Sequence, residues 1–318
     1  MRWDDLENEN NQKFGREGMD MEYRPVKCRH LLKKPDRATP FNCSYVISPY
    51  SGCEYGCVYC HKRREGELSR DSPKSIHVKV NAPSILKKEL KSAEMGVAGI
   101  IGYQPVEKEY RVVRKILEML SARRFPVHII TKSVIVLDDL DLLSRISERS
   151  WCAVTFCIAT LDEDISTFFE PDTPSSKKRL ETIKKVAEAG IVTGMALMPI
   201  IPYITDSEEQ LEDVISTAKE VKARYVLPVP LTLEDDCRVG FINVIKRHFP
   251  KLLIKYRRLY EFGSAPEVRY SRRLKNKTNA LLKKYNISDI IPISPTKGWA
   301  NQVNIDDFLS NNTKSRQK

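Results

Sequence analysis

The segment Cys53-Glu54-Tyr55-Gly56-Cys57-Val58-Tyr59-Cys60 follows a short apolar, strand-like run at Ser44 to Ile47. Spacings of three and two residues let one loop wrap a compact inorganic centre, and Gly56 frees the backbone at the tightest point. Three thiolates fall one ligand short of a closed tetrahedral metal site. A cube of four irons held by three cysteines keeps one iron without a protein ligand, open to an exogenous chelator. The competing reading is a zinc knot, with His61 as fourth ligand. Adjacent residues of an extended segment point opposite ways, which disfavours pairing His61 with Cys60 on one ion.

Outward from this loop, short β-branched runs alternate with helical patterns. Apolar runs stand at Ser44 to Ile47, Val97 to Ile101, Val127 to Ile130, Ala153 to Ile158, Val192 to Met198 and Tyr225 to Val229. Between them, Val112, Val113, Ile116, Leu117 and Leu120 share one helical face, as do Leu180, Ile183, Val186 and Ala187, and then Leu211, Val214, Ile215 and Ala218. Gly190 is placed to end the second of these helices, and Asp206 or Ser207 to cap the third. Six βα units in succession imply a parallel sheet, and right-handed crossovers curl it into a partial (βα)6, TIM-like barrel. The fold class is α/β.

In such a barrel the chemistry gathers at the C-terminal ends of the strands. Cys53 to Cys60 follows the first strand, Gly102 to Pro105 the second, Thr131-Lys132 the third, Cys157 to Thr160 the fourth and Pro199 to Tyr203 the fifth. Polar and conformationally special residues recurring at one end of every unit mark an active-site mouth.

Charge divides the chain of 318 residues. From Asp236 to Lys318 there are 18 Lys and Arg against 6 Asp and Glu, while the rest carries 35 against 36, so the whole excess of positive charge lies in the last 83 residues. The expected organisation is an N-terminal arm (1–40), a core domain (41–235) and a basic, mainly helical C-terminal extension (236–318). Clustered Lys and Arg suit a phosphate-bearing partner such as nucleic acid, or else solvate exposed helices. Tyr256, Tyr260, Tyr270 and Tyr285 interleave the basic run and either stack on bases or pack on the barrel. Eight cysteines without an export signal, a charged start at Met1-Arg2-Trp3-Asp4-Asp5 and no apolar run near the roughly 18 residues of a membrane span point to a cytoplasmic protein with reduced thiols and no membrane partner. No phosphate-cradling glycine loop is present, and His30, His77, His128 and His248 form no legible catalytic pairing. Cys28, Cys43, Cys152 and Cys237 have no motif around them and are read as structural.

The cysteine loop, with Tyr59 before its last thiol, resembles the signature of radical S-adenosylmethionine (SAM) enzymes. The resemblance continues in order through Val78 to Pro83, Tyr103-Gln104-Pro105, Ile130 to Ser133, Thr160 to Glu163, Glu170-Pro171 and Arg179-Leu180-Glu181. That set is similar to the branch containing spore photoproduct lyase and predicted DNA repair photolyases. It implies a [4Fe-4S] cluster on Cys53, Cys57 and Cys60, and a SAM molecule chelating the open iron. Reductive cleavage of SAM then yields a 5′-deoxyadenosyl radical, which abstracts hydrogen from a substrate. It also implies an electron donor such as ferredoxin or flavodoxin, and repair or modification of nucleic acid as the reaction class.

By the same resemblance Tyr59 lies near the adenine, Gly102 and Gln104 at the SAM amine, Lys132 at the SAM carboxylate, and Cys157 and Thr160 beside the cofactor. The segment Ile100 to Pro105 lacks the acidic residue usual in the branch. Cys157 is also a candidate hydrogen donor to a substrate radical, although a buried strand cysteine is ordinarily a small hydrophobe. The competing function class is a nucleic-acid-binding or scaffold protein with a purely structural metal loop.

Overall fold

The computed structural model describes residues 21–35, 40–60 and 75–292. Six parallel strands form the main sheet: β2 (Tyr45–Ile47), β5 (Ala98–Ile100), β6 (Val127–Thr131), β7 (Cys152–Cys157), β8 (Val192–Ile200) and β9 (Tyr225–Pro230). They lie side by side in chain order. The six expected strands are present, and β8 runs two residues beyond its predicted end. A second sheet was not expected. In it β4 (Ser75–Lys79) pairs in parallel with β1 (Glu22–Val26) and antiparallel with β3 (Tyr50–Ser51). Part of the segment read as an arm is thus a strand. Its mostly exposed residues lack the apolar content that marks a strand locally, and pairing with β4 supplies the order instead.

The helices are α1 (Ala82–Glu89), α2 (Glu107–Tyr110), α3 (Val112–Ala122), α4 (Leu140–Arg149), α5 (Glu163–Phe169), α6 (Ser176–Glu188), α7 (Glu208–Glu220), α8 (Asp235–His248), α9 (Leu253–Leu259) and α10 (Val268–Tyr285). The apolar faces of α3 and α7 are buried as their periodicity requires. Ser207 caps α7 by accepting from Gln210 N, and Gly190 takes φ +77° just beyond α6. The buried face of α6 is rotated from the expected one. Arg179, Thr182, Ile183 and Val186 are buried, while Leu180 and Ala187 are only partly so, because Arg179 reaches into the barrel mouth.

Alternation along the strands sorts the core into two layers. Val127, Ile129, Val154, Phe156, Met195, Leu197 and Val226 face the helices. Ile130, Ala153, Cys157, Ala196, Tyr225 and Leu227 line the barrel. Within that interior, Phe41 O can only accept, so His128 Nδ1 donates to it (2.9 Å). The ring's Nε2 then accepts from Thr155 Oγ1 (2.6 Å), which accepts in turn from Tyr225 OH (2.5 Å). Burial depresses the His128 pKa to about 4, in keeping with a neutral ring. Trp151 Nε1 donates to Pro292 O (3.1 Å), and Ile291 joins the interior cluster. Residues after α10 therefore close the floor, and Ser288 bridges to Tyr225 along the β9 edge.

The C-terminal helices pack onto the barrel. Tyr256, Tyr260 and Tyr270 are buried, with hydroxyls donated to Pro202 O, Leu231 O and Asp206 Oδ2, and Tyr285 donates to Glu212. These tyrosines fasten the extension to the core and do not form a stacking surface.

Candidate active site

The cysteine loop leaves β3 at the C-terminal mouth of the barrel. Gly56 sits at φ +61°, the left-handed conformation the tight turn demands. Glu54 N donates to Gln104 Oε1 (2.8 Å), while Glu54 Oε1 accepts from Val106 N (2.7 Å). The loop and the turn after β5 are thereby zipped together. Gln104 Nε2 also donates to Gly52 O (3.3 Å), and Tyr23 OH of β1 donates to Glu54 Oε2 (2.9 Å). The polar atoms of Gln104 are thus spent on the loop backbone. Gly102 serves close packing, since a Cβ there would stand 2.7 Å from Pro49 Cγ.

The far side of the loop rests on the end of α5. Val58 N donates to Phe169 O (2.9 Å), and the next residue, Glu170, is wholly buried. Its carboxylate receives Arg179 Nη1 (2.9 Å), Lys132 Nζ (3.4 Å) and the Tyr59 hydroxyl. Arg179 also donates to Cys157 O (2.7 Å), fixing the end of β7. Lys132 Nζ stands 5.7 Å from the centre of the Tyr59 ring and 3.5 Å from Met198 O at the end of β8. Tyr59, Lys132, Cys157 and Glu170, drawn from four segments, meet in one buried knot. Thr160 lies at its edge, where its hydroxyl accepts from Asp162 N and its carbonyl from Ser176 Oγ.

Electrostatics tie the knot to the thiols. Burial opposes the Lys132 charge, but Glu170, Cys157 and Cys57 more than offset it, and its pKa is raised. Burial likewise opposes the Glu170 charge, and Lys132 and Arg179 overcome it, holding the carboxylate below its ordinary range. Burial raises the pKa of Cys57, with Lys132 pulling the other way. Cys157 is shifted upward by the same opposing causes.

The donor set fits an anionic cofactor assembly. Lys132 and Arg179 bring two positive charges to a single carboxylate, and Arg179 Nε is buried with no hydrogen-bond partner among the described residues. Three thiols share one loop beside this surplus of positive charge. Among the described residues no group of three His, Cys, Asp or Glu is gathered tightly enough for a single metal ion. A cube spreads its ligands wider than one tetrahedral ion does. His61 lies outside the described residues.

Glu170, Arg179, Glu54 and Tyr23 were not singled out as site residues by sequence. Glu170-Pro171 and Arg179-Leu180-Glu181 were visible as segments of the resemblance, and that was the only signal. In local pattern Glu170 and Arg179 are ordinary charged residues near helix ends.

The radical SAM superfamily model matches residues 47–215. An uncharacterized protein of Mycobacterium tuberculosis is 26% identical over 277 residues, spanning 84% of this chain and 82% of that protein. An uncharacterized protein of Methanocaldococcus jannaschii is 31% identical over 180 residues, covering 55% of this chain and 68% of that protein. Among solved structures, a spore photoproduct lyase mutant with bound AdoMet and dinucleoside spore photoproduct superposes with TM-score 0.64 at 18% identity, covering 85% of this chain and 81% of that one. This likeness establishes the shared fold.

Proposed function

Because the chain belongs to the radical SAM superfamily, we propose that its site holds a [4Fe-4S] cluster on Cys53, Cys57 and Cys60 and uses it to draw hydrogen from a nucleic-acid substrate. Membership makes the protein an enzyme and sets aside the scaffold alternative. It also implies SAM and an iron–sulfur cluster. When bound, these supply reductive cleavage of the sulfonium and hence a 5′-deoxyadenosyl radical.

The chain's own residues orient and enclose. Lys132, held at 3.4 Å by Glu170, presents a largely buried ammonium suited to the SAM carboxylate. Tyr59, pinned by its hydroxyl to Glu170, offers a ring face for the adenine, with Cys157 and Thr160 beside it. Gly102 and Gln104 act through the loop, Gly102 by admitting Pro49 and Gln104 by holding Gly52 and Glu54. Tyr55, Val58 and Tyr103 are buried around the loop and exclude water from it. The observation that carries this reading is the knot of Tyr59, Lys132 and Glu170 directly beside Cys57 at the barrel mouth.

Nucleic acid as substrate class is supported by the basic residues from position 236 onward. No described helix is long and apolar enough to cross a membrane. We place the enzyme in the cytoplasm, supplied with electrons by a ferredoxin or flavodoxin. We propose domain boundaries at 40 and 235, with β1 of the first segment pairing onto β4.

The test is anaerobic reconstitution. About four irons and four sulfides per chain are expected, with 5′-deoxyadenosine released from SAM on reduction. A preparation that takes up only zinc and leaves SAM intact sinks the proposal.

A further inference from the structure

We infer that α9, α10 and the loop between them form the docking surface for a polynucleotide strand leading into the barrel mouth. This inference rests on the nucleic-acid reading above. Between Pro250 and Asn276 the chain carries eight Lys and Arg against two Glu. On α10, Tyr270, Leu274, Thr278, Leu281 and Leu282 face the core. Arg269, Arg272, Arg273 and Asn276 recur at helical spacing and are exposed.

These four residues line a groove of about 540 Å³ together with the apolar side chains of Leu259, Phe262, Ala265 and Pro266. Phe262 is 87% exposed. Arginines beside aromatic and apolar side chains match the two parts of a nucleotide, phosphate and base. Glu267 also lines the groove and is its one acidic group.

Arg273 links the groove to the C-terminal strand ends through its interaction with Tyr203. Tyr203, just past the C-terminal end of β8, has its ring centre 6.0 Å from that of Tyr270, with Lys255 Nζ 5.3 Å above it. Burial raises the Tyr203 pKa, and the nearby Arg273 charge works against that rise. A strand lying along α10 would therefore pass Arg273 and Tyr203 before reaching the site.

Fluorescence anisotropy of the full-length protein with a labelled 12-nucleotide single strand, over a series of salt concentrations, tests this surface. Polyglutamate of matched charge serves as the control ligand. The R269A/R272A/R273A variant is expected to lower the slope of log affinity against log salt by about 2, as loss of three phosphate contacts requires. Phe262→Ala is expected to weaken binding about tenfold with the slope unchanged. Both variants should keep wild-type circular dichroism and substrate-free cleavage of SAM. Binding by the triple variant equal to wild type, slope included, overturns the surface while sparing the substrate class. A wild-type protein that binds no strand, or binds polyglutamate as tightly, overturns the nucleic-acid reading itself.

Discussion

Lys132 Nζ lies 3.4 Å from Glu170 Oε1, and the two residues belong to successive βα units of the barrel. Glu170 is fully buried and Lys132 largely so, and Arg179 shares the same carboxylate at 2.9 Å. A buried carboxylate that pairs with two cations couples the third, fourth and fifth strand ends to the cysteine loop.

Removing that charge should be costly. Glu170→Gln leaves Lys132 and Arg179 facing each other, and loss of one partner of a buried pair costs about 3–5 kcal/mol. Urea unfolding of the apoprotein measures it. Adding Lys132→Met should recover part of the loss, and purely additive effects would show that the two residues do not interact.

Lys132→Met alone should weaken SAM binding more than tenfold while leaving the iron content at the wild-type level. Equilibrium binding monitored through the cluster's absorbance or electron paramagnetic resonance reads the first, and chemical iron analysis the second. Equal loss of iron and of SAM affinity would indicate general collapse of the mouth.

The three loop cysteines should stand apart from the other thiols. Alanine at Cys53, Cys57 or Cys60 should abolish the visible absorbance of reconstituted protein, whereas Cys28→Ala, at the edge of the small sheet, should retain it. An unchanged spectrum after replacing Cys53, Cys57 and Cys60 together by alanine would dismiss the loop as the cluster site.

Gln104→Ala should loosen the loop without touching a thiol. It removes the buried hydrogen bond from Glu54 N to Gln104 Oε1, at a cost of about 0.5–1.5 kcal/mol. The expected result is faster loss of iron to a chelator with initial loading intact. Identical release kinetics would show that the brace is unimportant.

His128 makes stability depend on pH. Its native pKa of about 4 lies below the ordinary 6.5, so between these values the unfolded chain binds the proton and the native chain does not. Its contribution is complete above pH 6.5 and is lost as pH falls toward 4, reaching about 2 kcal/mol at pH 5. Urea midpoints at pH 7 and pH 5 should therefore diverge more for wild type than for His128→Gln. An equal divergence would assign the acid sensitivity to other groups.

Much of the architecture was legible because it is encoded at short range. Strand runs and helix stripes have periods of two and 3.6 residues, so the six strands and the buried faces of α3 and α7 followed from neighbouring residues alone. The small sheet did not, because Glu22–Val26 has no apolar alternation of its own and is ordered by a partner more than 50 residues away. The C-terminal tyrosines could equally have faced solvent, and only their contacts with Pro202, Leu231, Asp206 and Glu212 settled the matter.

The amino-acid sequence by itself determined the trio of thiols in one loop, the repeated βα pattern and the concentration of positive charge near the C-terminus. The tertiary structure alone decided which charged residues serve that loop. Tyr59 and Glu170 are 111 positions apart, and only the barrel's crossovers bring their side chains together. Local periodicity records which face of an element is buried. It does not record which other element lies across that face, and that is where the Glu170 carboxylate found its two cations.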